Sequence, residues 1–297
     1  MNVLDGLSAF PITPSDATGR VDVVALRRLV ARIKAARVDS IGLLGSTGTY
    51  AYLSRPERRR ALEAALEEAG GQVPILVGVG ALRTDEAVRL AQDAKAAGAA
   101  AGLLAPMSYT PLTGDEVFEH FAAVARESGL PLCIYDNPST THFRFDAALI
   151  GRLSELPGIV AVKSPAPEPQ GVAAHLADLR RVVPEGFSIG YSVDWHSIEA
   201  LIAGGDAWYS VVAGLFPYIS MAMVQAVRNG DIAEARRLNS RLDPLWGLFK
   251  EFSSLRVIYA SADLLGIVHA DPPRPILPLP GGAREKVARA LDAMELA

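Results

Sequence analysis

The chain has 297 residues, 50% hydrophobic and 21% charged, with a net charge of −4. That is enough chain to bury one large core or two medium ones, and the composition is that of an ordinary globular protein. No basic run and no interleaving of aromatic with basic residues occurs, which argues against nucleic acid as a partner. Cys133 is the single cysteine, so an intramolecular disulfide is impossible and a reducing compartment fits. The start, Met1 to Gly6, lacks the charged opening and apolar stretch of a signal peptide. The longest small, apolar run, Ala96 to Met107, is broken by two glycines and a proline. It is too short to cross a membrane, and the expectation is a cytoplasmic protein.

Apolar strand-like runs alternate with amphipathic helix-like runs. Strand Gly6–Phe10 precedes helix Val23–Arg37, in which Val24, Leu26, Leu29, Val30 and Ile33 share a side. Then come Ser40–Leu44 with Arg55–Ala69, Pro74–Val79 with Arg83–Ala97, and Ala100–Leu104 with Asp115–Ser128. Pro131–Tyr135 pairs with Asp146–Leu156, and Ile159–Lys163 with Gly171–Val182. Phe187–Gly190 is followed by Asp194–Ala203, and Ala207–Val212 by Phe216–Arg228. Eight such units predict a (β/α)8 TIM barrel of class α/β. A doubly wound open sheet is the runner-up, disfavoured by the even count and by the lack of a Gly-x-Gly-x-x-Gly fingerprint. The remainder reads as a three-helix extension over Asp231–Phe249, Ser253–Leu265 and Gly282–Leu296. The expected division is a barrel at 1–229 and a helical extension at 230–297, packed on the barrel.

In a barrel the chemistry stands at the carboxyl ends of the strands. The run Ile159-Val160-Ala161-Val162-Lys163-Ser164-Pro165 is apolar on both faces, and Pro165 ends its ladder. Lys163 therefore sits at the mouth end of a buried strand. A charge there costs several kcal/mol unless it is paired or sheds its proton, and an unprotonated lysine forms imines with ketones and aldehydes. The plainer alternative is a lysine that snorkels to the surface. The chain holds only five lysines, and Lys34, Lys95, Lys250 and Lys286 fall in mixed-charge helical stretches.

The loop Gly45-Ser46-Thr47-Gly48 combines close backbone approach with two hydroxyls, enough to hold an anion or simply to turn. Ser54 and Glu57 read as a capping box for the helix that follows. Tyr135 ends the strand beside Lys163, either as a proton relay or as a core residue with a wet tip. Cys133, on the same face, reads as a small buried residue. The five histidines form no His-x-His pair, and Asp136 and Asp194 read as turn or cap residues, so no metal is expected.

These pieces resemble the dihydrodipicolinate synthase and N-acetylneuraminate lyase family. The matching residues are Thr13-Pro14, Gly45-Ser46-Thr47-Gly48, Leu53-Ser54 with Glu57-Arg58, Tyr135-Asp136-Asn137-Pro138, Val162-Lys163 and Arg274 to Leu279. They run nearly end to end, in order and at suitable spacing. The resemblance implies a barrel with a three-helix tail and a class I, Schiff-base-forming lyase, aldolase, synthase or dehydratase acting on pyruvate or a related 2-oxo acid. By it, Lys163 forms the imine, Tyr135 moves protons, and Ser46 and Thr47 hold the substrate carboxylate. No metal or organic cofactor is needed, and a homo-oligomer, commonly a tetramer of tight dimers, is implied.

The chain departs from the family pattern at three places. Thr49 stands where many members carry glutamate. Thr140 stands where the synthase proper has an arginine for its second substrate, aspartate semialdehyde. Met107-Ser108 stands at paired tyrosines, one of which reaches a neighbouring subunit, with Tyr109 one step later. Thr140 and Thr49 offer no charge, and Arg144 is the only arginine nearby. A neutral aldehyde or a hydroxylated sugar acid is therefore expected ahead of aspartate semialdehyde. A binding protein on the same scaffold and an unrelated metal-dependent barrel hydrolase are the other classes to weigh.

Overall fold

The computed structural model describes residues 3–294. Eight parallel strands close into a barrel in sequence order. They are β1 (Gly6–Ala9), β2 (Ser40–Leu43), β3 (Ile75–Gly78), β4 (Ala101–Leu104), β5 (Leu132–Tyr135), β6 (Ile159–Pro165), β7 (Ser188–Ser192) and β8 (Ala207–Ser210). The seam is closed by β1 on β8, from Gly6 opposite Ala207 to Ala9 opposite Ser210. The strands are buried on both faces, which is why they read as unbroken apolar runs rather than alternating ones. β6 continues past Lys163 to Pro165, whose neighbour on β7 is Ser192.

Around the barrel lie α1 (Val23–Ala35), α2 (Arg55–Ala69), α3 (Thr84–Ala97), α4 (Gly114–Ser128), α6 (Ala147–Ser154), α7 (Val172–Arg180), α8 (Asp194–Ile202) and α9 (Pro217–Arg228). A short turn of helix, α5 (Pro138–Thr141), caps the loop after β5. Asp22 starts α1 by accepting the Val24 and Ala25 amides. Leu26, Leu29, Val30 and Ile33 face the core as the spacing predicts, but Val24 is exposed. Ser54 makes no side-chain cap on α2, and the Glu57 carboxylate accepts the Val21 amide at 2.7 Å instead. The expected capping box is thus a tie between α2 and the loop after β1.

The stretch read as one helix over Asp231–Phe249 is two, α10 (Ile232–Ser240) and α11 (Asp243–Phe252). Pro244 falls in the first turn of α11, where its missing amide costs nothing; inside a continuous helix it would remove a hydrogen bond. α10 packs on α8 and α9, whereas α11, α12 (Ser254–Leu264) and α13 (Gly281–Met294) pack on one another. The last expected helix was read through to Leu296, which lies outside the described residues. No helix among the described residues is long and apolar enough to cross a membrane.

The barrel interior holds its own core, including Phe10, Leu76, Leu103, Cys133, Tyr135 and Tyr209. Glycine makes room in this wall. A Cβ on Gly42 would lie 2.1 Å from the Phe10 ring, and one on Gly45 would lie 2.8 Å from it. Leu44 adopts a left-handed φ of 54°, which drives its carbonyl oxygen to 1.8 Å from where a Cβ on Gly78 would stand. That neighbour is backbone and cannot swing aside. Gly78→Ala is therefore expected to cost about 1–3 kcal/mol through forced backbone shifts. Thermal unfolding should show it as a fall in Tm of several degrees; an unchanged Tm would mean the β2 turn yields freely.

Candidate active site

A cavity of about 460 Å³ opens at the carboxyl ends of the strands, within the usual size for a small-molecule site. Lys163, Tyr135, Ser46, Thr47 and Thr140, all expected from the sequence, line it. Lys163 is only 4% exposed. Tyr135 and Lys163 are register neighbours on β5 and β6, so their side chains leave the sheet side by side. The Lys163 Nζ lies 4.1 Å from the Phe10 ring centroid, 4.3 Å from that of Tyr135 and 6.0 Å from that of Tyr209. Aromatic faces stabilise a cation without occupying it as a carboxylate would. Snorkelling to solvent is thereby ruled out.

The Tyr135 hydroxyl shares a 2.9 Å hydrogen bond with the Ser46 Oγ and accepts one at 3.0 Å from the Asn137 Nδ2. Burial pushes this phenol up, but the Lys163 charge and the hydrogen bonds with Ser46, Asn137 and Lys163 outweigh it and hold the phenol below its ordinary value. A phenol so placed can release and recover a proton beside the lysine. Ser46 is thus engaged with Tyr135. Thr47, buried at 6% exposure, remains the hydroxyl of this loop best placed to hold an anion.

Other expected residues fall differently. Thr140 sits exposed on α5 and its Oγ1 donates to the Asn137 carbonyl at 3.2 Å. Tyr109 does not line the cavity; it is 97% exposed, and Met107 lines the wall in its place. Ser108 donates to the Thr110 carbonyl. Arg144 is exposed and also outside the lining. Among the described residues, no group of three or more His, Cys, Asp or Glu stands together as metal ligands.

Three features escaped the sequence reading. Asp194 is no surface cap: it is 3% exposed, its Oδ1 accepts the Trp208 indole at 2.9 Å and its Oδ2 the Val212 amide at 2.8 Å. Burial pushes it up to about 6. It follows Val193, whose φ of 71° is rare for a β-branched residue. Tyr50 lines the cavity with the buried Arg58 guanidinium 5.3 Å from its ring. Arg58 is itself locked by the Gly78 and Gly80 carbonyls at 2.8 and 3.1 Å. Finally, Arg256 lines the cavity from the start of α12. Asp194 and the Glu57-Arg58 pair were named beforehand in other roles; Arg256 carried no local signal.

A buried lysine, a phenol and a hydroxyl-bearing glycine loop at the mouth of a barrel fit the resemblance noted above. The profile of the Dihydrodipicolinate synthetase family matches residues 3–294. The chain belongs to that family. It is 35% identical over 280 residues to the 4-hydroxy-tetrahydrodipicolinate synthase of Methylococcus capsulatus, covering 94% of each chain. It is 33% identical over 296 residues to that of Chlorobium limicola, covering 99% of this chain and 98% of the other. Among solved structures, it is similar to dihydrodipicolinate synthase from Agrobacterium tumefaciens, with 54% identity over 99% of both chains and a TM-score of 0.96. Like the family, it is a lyase of the class I aldolase type.

Directly after Tyr135, Asp136 is 5% exposed and its Oδ1 has no hydrogen-bond partner. Burial pushes its carboxyl from the usual 3.8 up to about 6, against a backbone hydrogen bond from Phe145 and the charge of Arg144. Between those two values the folded state holds the proton and the unfolded state does not. This group's contribution to stability is therefore full below the unfolded value and is lost as pH rises through about 6. Asp136→Asn keeps an acceptor for Phe145 and removes the titration. Urea unfolding from pH 4 to pH 8 should show the wild type losing about 2–3 kcal/mol relative to the variant. Parallel stability curves would show that Asp136 titrates as in the unfolded chain.

Proposed function

We propose that this enzyme binds pyruvate or a related 2-oxo acid and works through an imine on Lys163, making or breaking a carbon–carbon or carbon–oxygen bond. The observation that carries this is the buried Lys163 Nζ 4.3 Å from the ring of Tyr135, in register on the next strand. The lysine nitrogen adds to the C2 carbonyl, and water leaves with the carbonyl oxygen. The protonated imine is an electron sink. When the C3–C4 bond breaks, its electron pair enters the imine and leaves an enamine; where water is lost instead, a C3 proton leaves to give the enamine, whose electron pair then expels the C4 hydroxyl as the C–O pair departs with the oxygen. Protonation of the enamine carbon and attack of water on the imine return the 2-oxo acid and the free lysine; condensation runs the same steps in reverse. Tyr135, tied to Ser46, accepts and returns the protons, and Thr47 with the loop amides holds the C1 carboxylate.

The names of the relatives favour one specific reaction as a second reading, the condensation of pyruvate with aspartate semialdehyde. The neutral Thr140 speaks against an arginine clamp on the β5 loop. The reading also keeps a cytoplasmic homo-oligomer, which the buried lone Cys133 and the exposed Tyr109 suit. No cofactor enters any step.

Two measurements test it. Borohydride added with pyruvate should place a reduced adduct on the Lys163 peptide, and Lys163→Arg should abolish it, because arginine keeps the charge but is not a nucleophile at neutral pH. An adduct spread over Lys34, Lys95 or Lys250, or none with any 2-oxo acid, would sink the mechanism. Thr47→Val removes a hydrogen bond to a charged group, about 1.5–3 kcal/mol. Substrate binding should weaken roughly tenfold or more. Unchanged kinetics in a folded variant would return Thr47 to a turn-forming role.

A further inference from the structure

We propose that Arg256 binds a second carboxylate at the far end of the substrate, so that the 2-oxo acid handled here is a dicarboxylate. The inference rests on the imine reading above and adds the chemistry of the substrate's other end. Arg256 and Lys163 line the same cavity from opposite parts of the chain, a tail helix and a barrel strand. Lys163 is accounted for by its aromatic neighbours. The side chain of Arg256, half-buried, has no hydrogen bond or ion pair among the described residues. Charged groups brought partly out of water are normally paired.

The cavity offers it nothing. Asp194 is the one carboxylate in the lining, and both of its oxygens are taken, by Trp208 and by Val212. Thr140, the neutral residue of the β5 loop, donates to its own turn. The guanidinium also sits in the first turn of α12, where Ser253 provides no side-chain cap and the helix presents its positive end. α12 is anchored below this point: Val257 and Ile258 are buried, and the Tyr259 hydroxyl donates to the Thr13 carbonyl at 3.4 Å. A planar, five-donor fork carried on an anchored helix at the cavity wall is suited to a carboxylate. The proposal differs from the expectation of a neutral aldehyde or a hydroxylated sugar acid, which counted Arg144 as the only arginine near the β5 loop.

The test compares two six-carbon acids that differ only at the far end, 2-oxoadipate, which ends in a carboxylate, and 2-oxohexanoate, which ends in a methyl. Borohydride trapping at Lys163, read by mass spectrometry, gives the concentration of each at half-maximal adduct. In the wild type 2-oxoadipate should half-saturate at a concentration about tenfold or more lower, as a charge-assisted bond implies. Arg256→Gln should bring the ratio near one, and Arg256→Lys should restore part of it. The ratio is taken within each protein, so a general loss of activity does not mimic the result. Equal half-saturation in the wild type, a preference that survives Arg256→Gln, or trapping of pyruvate but of neither six-carbon acid each overturns the proposal. Absence of a Lys163 adduct with pyruvate itself is a different failure; it removes the imine reading, and the clamp falls with it.

Discussion

The structure turns on one ammonium group kept inside the barrel without a carboxylate beside it. Among the described residues Lys163 forms no ion pair; its nitrogen is surrounded by the rings of Phe10, Tyr135 and Tyr209. A carboxylate at that distance would favour the protonated lysine and occupy its hydrogens. Ring faces soften the cost of the cation without tying the nitrogen to a carboxylate. The inner core has to be aromatic on this level, and the geometry around it follows.

Aromatic rings take up space that a narrow barrel lacks. The wall gives way where it is glycine: Gly42 and Gly45 form a slot for Phe10, and a Cβ on Gly190 would meet the Tyr209 ring at 2.3 Å. β2 and β7, the latter next to the strand of Lys163, are thereby thinned at the places where rings must pass. The same economy explains Gly78, pressed against the Leu44 carbonyl, and Arg58, whose donors hold the carbonyls at the end of β3 while its charge supports Tyr50. Each of these contacts fixes the rim of the barrel from behind, at a site that works only if the rim does not move.

Much of this was legible from the residues. Strands buried on both faces leave continuous apolar runs, so all eight could be found, and the polar residues that interrupt such runs at their ends stand out as site candidates. Lys163, Tyr135, Ser46 and Thr47 were found in this way. What could not be read depends on contacts between distant parts of the chain. Glu57 looks like a capping partner until Val21 is seen to use it. Asp194 looks like a cap until Trp208 and Val212 close on it. Arg256 lies in an unremarkable helical stretch, and only the packing of the tail brings it over the cavity. The break between α10 and α11 was visible in principle, since Asp243-Pro244 is a helix start. Strong periodicity on either side of it concealed the signal.

The cavity divides its labour by layer. Its floor is made by the strand ends and the loop after β2, and there stand Lys163, Tyr135 and Thr47. Its roof is made by the loop after β5, the turn at Val193 and the first turn of α12, all of them outside the sheet. A reaction through an imine needs only the floor, because the electron sink is the same whatever is attached to the far carbon. Choice of substrate needs only the roof. In a protein of net charge −4, the floor and roof each present a cation while the one lining carboxylate is internally satisfied, so the cavity carries the opposite sign to the molecule around it. Such a field draws in small anions. A relative could therefore keep the chemistry and change its substrate by altering the tail helix alone, and the name of a relative says more about the floor of this site than about its roof.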